Sequence, residues 1–309
     1  MATSTRTRSA TRPRLLATLL IASLAPALAA CAGSGAGDAG RAAPARSPAR
    51  ATPSAARAGP MAVPTLAAAS GGRAPVFTRG TWPAKDGNRA DGTGGGTKPV
   101  ALTFDGDMAV GQGPRAARGE RFDNPALIAT LRRLKVPATM FLTGRWAEQY
   151  PDQARSIGRD PLFEVANHSY SHHAFADSCY GMPHVPQDAM RGDAERAFDA
   201  FRRAGARRWV PYFRFPGGCY DDRALRTLAP SGMTVVQWDV VSGDAFADDA
   251  DPVVRQVLAQ VRPGSVVVLH CTRSAAPATE EAVRRVVPAL RDRGYRLMKV
   301  SQLLAGQVR

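Results

Sequence analysis

The chain has 309 residues and a formal charge of +15, enough length for one large domain or two smaller ones and, at first sight, the charge of a nucleic-acid binder. Divided along the chain, the excess loses that meaning: residues 1–100 hold 13 Lys and Arg against 3 Asp and Glu, the remainder 28 against 23, and no nucleic-acid motif is present. Nucleic acid is therefore excluded as a partner, and the basic first third suits anionic lipid or wall polymer.

Residues 1–31 place Arg6, Arg8, Arg12 and Arg14 ahead of an apolar run, Leu15 to Leu24, and a small-residue ending, Leu28-Ala29-Ala30-Cys31. A basic head, an apolar stretch too short to span a bilayer and a cleavage region predict a secretory signal peptide. Its ending resembles the lipobox of bacterial lipoproteins, in which the cysteine becomes the lipidated first residue; ordinary cleavage after Ala29 or Ala30 is the alternative, and no Arg-Arg pair suggests the twin-arginine route. The expected location is exported: anchored through Cys31 on the outer face of the cytoplasmic membrane, or secreted. Residues 32–97 are mostly Ala, Gly, Pro, Ser and Arg, which cannot bury enough surface to offset ordering entropy, and read as a flexible tether.

The folded domain is expected over 98–309. Strand Val100 to Phe104 leads to a helix from Pro125 to Leu134, with Asp123 or Asn124 as N-cap. Ala138 to Thr143 is a strand and Trp146 to Ile157 a helix; Phe163 to Ala166 is the third strand, followed by a polar loop, Ala174 to Pro186, and helix Asp188 to Arg203. Trp209 to Phe215 is a strand, Asp222 to Ala229 a helix, Met233 to Val240 a strand and Pro252 to Val261 a helix. The turn Pro263-Gly264 opens the apolar strand Ser265 to Leu269, and helix Glu280 to Arg293, strand Tyr295 to Val300 and a short helix close the chain. About seven alternating β/α units predict an α/β fold, a TIM-like barrel that is distorted or incomplete. Cys179, Cys219 and Cys271 are an odd number in an exported domain, so one disulfide and one free thiol are expected, with Cys179 to Cys219 preferred because Cys271 continues a buried strand.

Each ionisable candidate follows a strand. Asp105 and Asp107, His168 and His172, Arg214, Asp244 and His270 would converge on the C-terminal rim, where barrel active sites lie. Two histidines four apart share one face of a helix or an extended segment, and with one carboxylate they hold a divalent metal while leaving room for water and a substrate oxygen. Zinc is the default for that donor set, with cobalt, manganese or nickel as alternatives. A second carboxylate would act as base, a further histidine as acid, and N–H groups of the Gly217-Gly218 turn would face an oxyanion. This is equipment for hydrolysing an amide or ester.

From Lys98 to Val300 the chain resembles the NodB-homology polysaccharide deacetylases, carbohydrate esterase family 4. Thr103-Phe104-Asp105-Gly106-Asp107 stands where the family has T-F-D-D-G, His168-Ser169-Tyr170-Ser171-His172 fits H-[ST]-x-x-H, and Arg214-Phe215-Pro216-Gly217-Gly218 fits R-x-P-x-G. Trp238 through Asp244 and Leu269-His270 resemble the fourth and fifth motifs, and Val136 to Gly144 is similar to V-P-A-T-F-F-x-x-G. The resemblance implies Asp105 as general base paired with Arg214, His168 and His172 as metal ligands, His270 as general acid tuned by Asp244, and Leu269 lining the acetyl pocket. Gly106 stands where the metal-binding Asp is usual; spacing of two points Asp105 and Asp107 to the same side, which assigns Asp107 to the metal, with Asp105 as ligand the competing assignment. Ala245 stands where Trp is usual, with Phe246 next to it available for the same wall.

Tyr170, Phe215 and Tyr220 lie beside motif residues and either stack on a sugar ring or pack internally, whereas Asp239, His173 and His184 read as structural or loop residues. The implied reaction is N-deacetylation of amino sugars in an envelope polymer, peptidoglycan first, or in chitin-like oligosaccharides. An O-acetyl esterase of xylan and a non-catalytic wall-binding protein are the alternatives.

Overall fold

The computed structural model describes residues 60–81 and 98–306; the expected signal peptide, Cys31 and the rest of the tether lie outside the described residues. In chain order the strands are β1 (Val76–Phe77), β2 (Lys98–Gly106), β3 (Ala138–Leu142), β4 (Phe163–Asn167), β5 (Trp209–Phe213), β6 (Thr234–Val236), β7 (Val240–Val241), β8 (Ser265–His270) and β9 (Tyr295–Leu297). The helices are α1 (Gly113–Ala117), α2 (Pro125–Arg133), α3 (Gly144–Gln149), α4 (Pro151–Ile157), α5 (Gln187–Ala204), α6 (Asp222–Leu228), α7 (Ala250–Gln260), α8 (Thr279–Asp292) and α9 (Val300–Ala305).

β2 explains the architecture. Every residue after Lys98 is buried, on both faces, which a strand achieves only between two neighbours inside a helical shell. The strands run β1-β6-β5-β4-β3-β2-β8-β7 with parallel pairings, and β9 joins the first residues of β2. β1 and β7 end this order unjoined, so the sheet is the distorted, incomplete (β/α) barrel expected from the sequence.

The period of two along β2 divides its side chains. Val100, Leu102 and Phe104 join the outer core under the helices, while Ala101 joins the inner cluster with Phe141, Ala166, Tyr212 and Val266. Thr103 and Asp105 share the parity of Ala101, so the strand that feeds the core also aims its carboxylate into the mouth of the barrel.

Local chemistry sets the breaks. Asn124 and Thr143 accept from Leu127 N and Trp146 N and so cap α2 and α3. The single helix expected over Trp146 to Ile157 is two, α3 and α4, because Pro151 cannot continue the first and starts the second. The strand expected over Met233 to Val240 is likewise divided into β6 and β7, with Asp239 between them accepting from Val266 N and Ser265 Oγ, a structural role. A disulfide joins Cys179 to Cys219, and Cys271 is a buried free thiol.

The tether expectation needs correction over residues 60–81. Met61 N donates to Trp209 O, Leu66 N to Thr234 Oγ1 and Tyr212 Oη to Pro64 O; β1 then pairs with β6, and Gly80 N reaches Gly264 O at 2.8 Å. Met61, Val63, Leu66 and Phe77 bury against the inner cluster. The few apolar residues in this stretch are spaced along an extended strap, where each finds its own site, so mean composition hides them.

Candidate active site

Asp105 is the next-to-last residue of β2 and lies in register with His270 of β8, which sets two ionisable groups side by side at the mouth. Arg214, fully buried after β5, donates from Nη1 to Asp105 Oδ1 at 2.6 Å and to Thr103 Oγ1 at 2.9 Å, and from Nε to Val236 O at 3.1 Å. Its guanidinium packs 3.9 Å from the Phe141 ring centroid. A buried charge of this kind is tolerated only when paired and bonded on several sides, and Asp105 is the pairing acid for Arg214.

The histidines converge by a different route from the one expected. The His168 to His172 segment is neither helix nor strand: Ser169 (φ +68°) and His172 (φ +56°) adopt the left-handed backbone that non-glycine residues avoid. Asn167 Oδ1 accepts from Ser169 N, Ser169 Oγ accepts from His172 N, and Asn167 Nδ2 donates to Ala194 O, so β4 and α5 clamp the turn. The two rings end 5.1 Å apart.

Asp107 Oδ1 lies 3.2 Å from His168 Nε2 and 3.4 Å from His172 Nε2, and one donor atom from each of the three groups falls within 4.8 Å of the others. His168 Nδ1 donates to the Arg214 carbonyl oxygen at 2.9 Å, which leaves Nε2 as the nitrogen that faces Asp107. Asp107 Oδ1 is buried without a hydrogen-bond partner among the described residues. Two imidazole nitrogens and a buried carboxylate oxygen without a hydrogen-bond partner, all aimed at one point, fit a shared cation, and the two-nitrogen, one-oxygen set fits zinc-like metals. Burial would raise the Asp107 pKa, but His172, His168 and His270 outweigh it and hold the carboxyl well below the usual range.

Opposite this set, Asp244 Oδ1 holds His270 Nδ1 at 2.8 Å, Asp244 Oδ2 accepts from His270 N at 2.7 Å and from Thr279 Oγ1 at 2.6 Å, and Ser242 Oγ donates to Oδ1 at 2.8 Å. Burial alone would push His270 down; Asp244 first, then Asp107, lift it to about 10. His270 Nε2 points to Asp107 Oδ2 at 3.6 Å. Thr279 and Ser242 were not singled out in the sequence, since a hydroxyl that holds a buried carboxylate leaves no spacing signal. Thr272 Oγ1, which accepts from the backbone N of Asp107 at 2.8 Å, leaves no spacing signal either.

Around this centre a cleft of about 210 Å³ opens over Asp107 and His172, walled by Gln112, Arg115, Glu120 and Phe122 from α1 and the loop after it. The substrate-side expectations change at Leu269, Phe215, Tyr170, Gly218 and Phe246. Leu269 adjoins His270 and so faces the other way, into the outer core; Val268 shares the parity of His270. Phe215 is fully buried with Tyr220 stacked on it at 5.1 Å, and Tyr170 donates from its hydroxyl to Glu148 with Arg196 over its ring, so neither offers a face to sugar. In the Gly217-Gly218 turn, Gly218 N already donates to Phe215 O, and a Cβ on Gly217 would meet Cys179 Sγ at 2.6 Å. Phe246 is 92% exposed and fills no wall.

Residues 93–236 match the family model for polysaccharide deacetylase. Over 220 residues the chain is 32% identical to a chitooligosaccharide deacetylase of Sinorhizobium fredii, covering 68% of this chain and 94% of that protein. The chain belongs to the polysaccharide deacetylase family. A second family member, a peptidoglycan-N-acetylglucosamine deacetylase of Bacillus cereus, is 27% identical over 206 residues, covering 66% of this chain and 67% of that protein. Among solved structures, a carbohydrate esterase family 4 pseudoenzyme of Bacillus anthracis matches with a TM-score of 0.56 at 23% identity, over 77% of this chain and 70% of that one. That likeness concerns the deacetylase fold alone.

Proposed function

We propose that this deacetylase removes N-acetyl groups from amino sugars of an envelope polymer, peptidoglycan before chitin-like oligosaccharides, and does so outside the cytoplasm, through a lipidated Cys31 or as a secreted protein. The observation that carries the reading is the grouping of two charge pairs, Asp105–Arg214 and Asp244–His270, on either side of the Asp107, His168 and His172 donors. The names of the relatives support both glycan classes, and the export signal read in the sequence favours the envelope polymer.

Asp107, His168 and His172 would hold a divalent cation, zinc first, which when bound polarises the amide carbonyl and acidifies a water. Asp105, held in place by Arg214, takes the proton of the attacking water as its oxygen bonds to the acetyl carbon. His270, protonated at neutral pH, passes its Nε2 proton to the sugar nitrogen as the C–N bond breaks, and acetate and a free amine leave. Asp244 orients the imidazole through Nδ1 and stabilises its charged form. The test is acetate release from N-acetylglucosamine oligomers, peptidoglycan and acetylated xylan after zinc loading. Release from the first two supports the proposal; release from xylan alone makes the protein an O-acetyl esterase, and release from none makes it a binding protein.

A further inference from the structure

The loops that precede the strands collect cations. Lys135 lies before β3, Arg159 before β4, Arg207 and Arg208 before β5, and Arg296 on β9. Two open depressions sit there: one of about 420 Å³ lined by Met61, Arg159, Arg207 and Arg208, and one of about 390 Å³ whose lining includes Lys135, Arg291 and Arg296. In a barrel the helices end at this side, and cations near their last carbonyls are ordinary complements to the helix dipole. Arg203, bonded to Glu148, and Arg291, which donates to Leu134 O, fit that account. Lys135, Arg207, Arg208 and Arg296 do not, since their side chains make no hydrogen bond or ion pair among the described residues. Among the described residues, the nearby acids are already taken: Asp160 is held by Arg132, and Asp239 by Arg79 and Arg262. Adjacent arginines sharing one depression repel each other, so the fold gains nothing from this arrangement by itself.

We propose that the strand-start end is a docking surface for an anionic membrane, with the phosphate of lipid headgroups as the recognised chemistry. Guanidinium groups suit phosphate oxygens, and several cations on one face add their attraction to a charged bilayer. A membrane is favoured over a soluble polyanion because the chain enters the fold at this end. Met61 bonds to Trp209 O and lines the arginine depression, and the segment before it carries the lipobox-like Cys31. Docking here leaves the catalytic mouth, at the opposite strand ends, free to face the wall.

The test is co-sedimentation of full-length Cys31→Ser protein, which cannot be lipidated, with phosphatidylglycerol-containing and pure phosphatidylcholine vesicles. The Arg159→Gln, Arg207→Gln, Arg208→Gln triple variant and the Lys135→Gln, Arg296→Gln double variant are compared with their parent. An unchanged circular-dichroism melt certifies the fold of each, and Arg223→Gln, near the other end, is the charge control. At low salt the triple variant should lose at least about tenfold in partition to phosphatidylglycerol, and the control nothing. The difference should vanish at high salt and be absent on phosphatidylcholine. Equal partition of parent and triple variant overturns the proposal. So does a variant that loses binding to soluble polyphosphate while keeping its vesicle binding.

Discussion

At the strand ends, charge is buried and grouped: Asp105 pairs with Arg214, Asp244 with His270 and two hydroxyls, and Asp107 lies within 3.6 Å of three imidazole nitrogens. At the strand starts, charge lies at the surface, and the side chains of Arg207 and Arg208 have no partner among the described residues. The difference follows from solvent. A charge taken from water costs more than the fold can spare unless neighbours replace the water, so the mouth is a network in which each group fixes the next; at the surface that requirement lapses, and cations accumulate where only an outside partner would select them. Substitutions at the mouth should therefore act on chemistry, and substitutions at the base on stability or docking.

The largest expected effect is from Asp105→Asn. The amide keeps an oxygen for Arg214 Nη1 but cannot take a proton, so kcat/KM should fall about 10²–10⁴-fold in acetate-release assays. The uncompensated guanidinium should also cost up to about 3 kcal/mol in urea titration. A loss under tenfold would place the base elsewhere. Asp244→Asn comes next. A general acid works only while protonated, so activity declines as pH rises through its pKa; removing the Asp244 charge lowers the pKa of His270. The alkaline limb of the kcat profile should move to lower pH by about one unit or more, with kcat down about 10–100-fold. An unmoved limb would detach His270 from that limb.

At the base, Gly264→Ala tests whether the strap belongs to the domain. Gly264 has φ +88°, and a Cβ there would lie 2.0 Å from the backbone oxygen of Gly80. The strap or the turn must shift, so stability should fall by about 2 kcal/mol or more, read from the urea midpoint, while kcat of the folded protein stays within about twofold. A neutral result would return residues 60–81 to the tether. Smallest of all, the paired change Arg207→Gln and Arg208→Gln should leave acetate release from a soluble oligosaccharide unchanged and stability within about 0.5 kcal/mol.

The same contrast explains what could be read beforehand. Strand positions and the mouth residues were legible because period-two burial and ionisable residues after strands are dense, local signals: Val100 to Phe104 running into Asp105 is the clearest. What depends on partners distant in sequence was not. Pairing of β1 with β6, some 160 residues apart, turns an Ala-rich stretch into a strap. The stacking of Tyr220 on Phe215 and the bond from Tyr170 to Glu148 remove two aromatics that lie beside motif residues from any contact with sugar. The family resemblance implied that Leu269 lines the mouth, and strand alternation sends it to the other side. The convergence of His168 and His172 was anticipated, but not the turn that achieves it, because two left-handed residues held by Asn167 and Ser169 leave no periodic trace.

The central claim is the division of labour between two carboxylates two residues apart. Its most direct test is metal content by mass spectrometry, after zinc loading and gel filtration, in wild type, Asp107→Ala and Asp105→Asn, alongside acetate release. The account expects one zinc per chain in wild type and in inactive Asp105→Asn, and little in Asp107→Ala. Loss of zinc from Asp105→Asn with retention in Asp107→Ala would contradict it and make Asp105 the ligand.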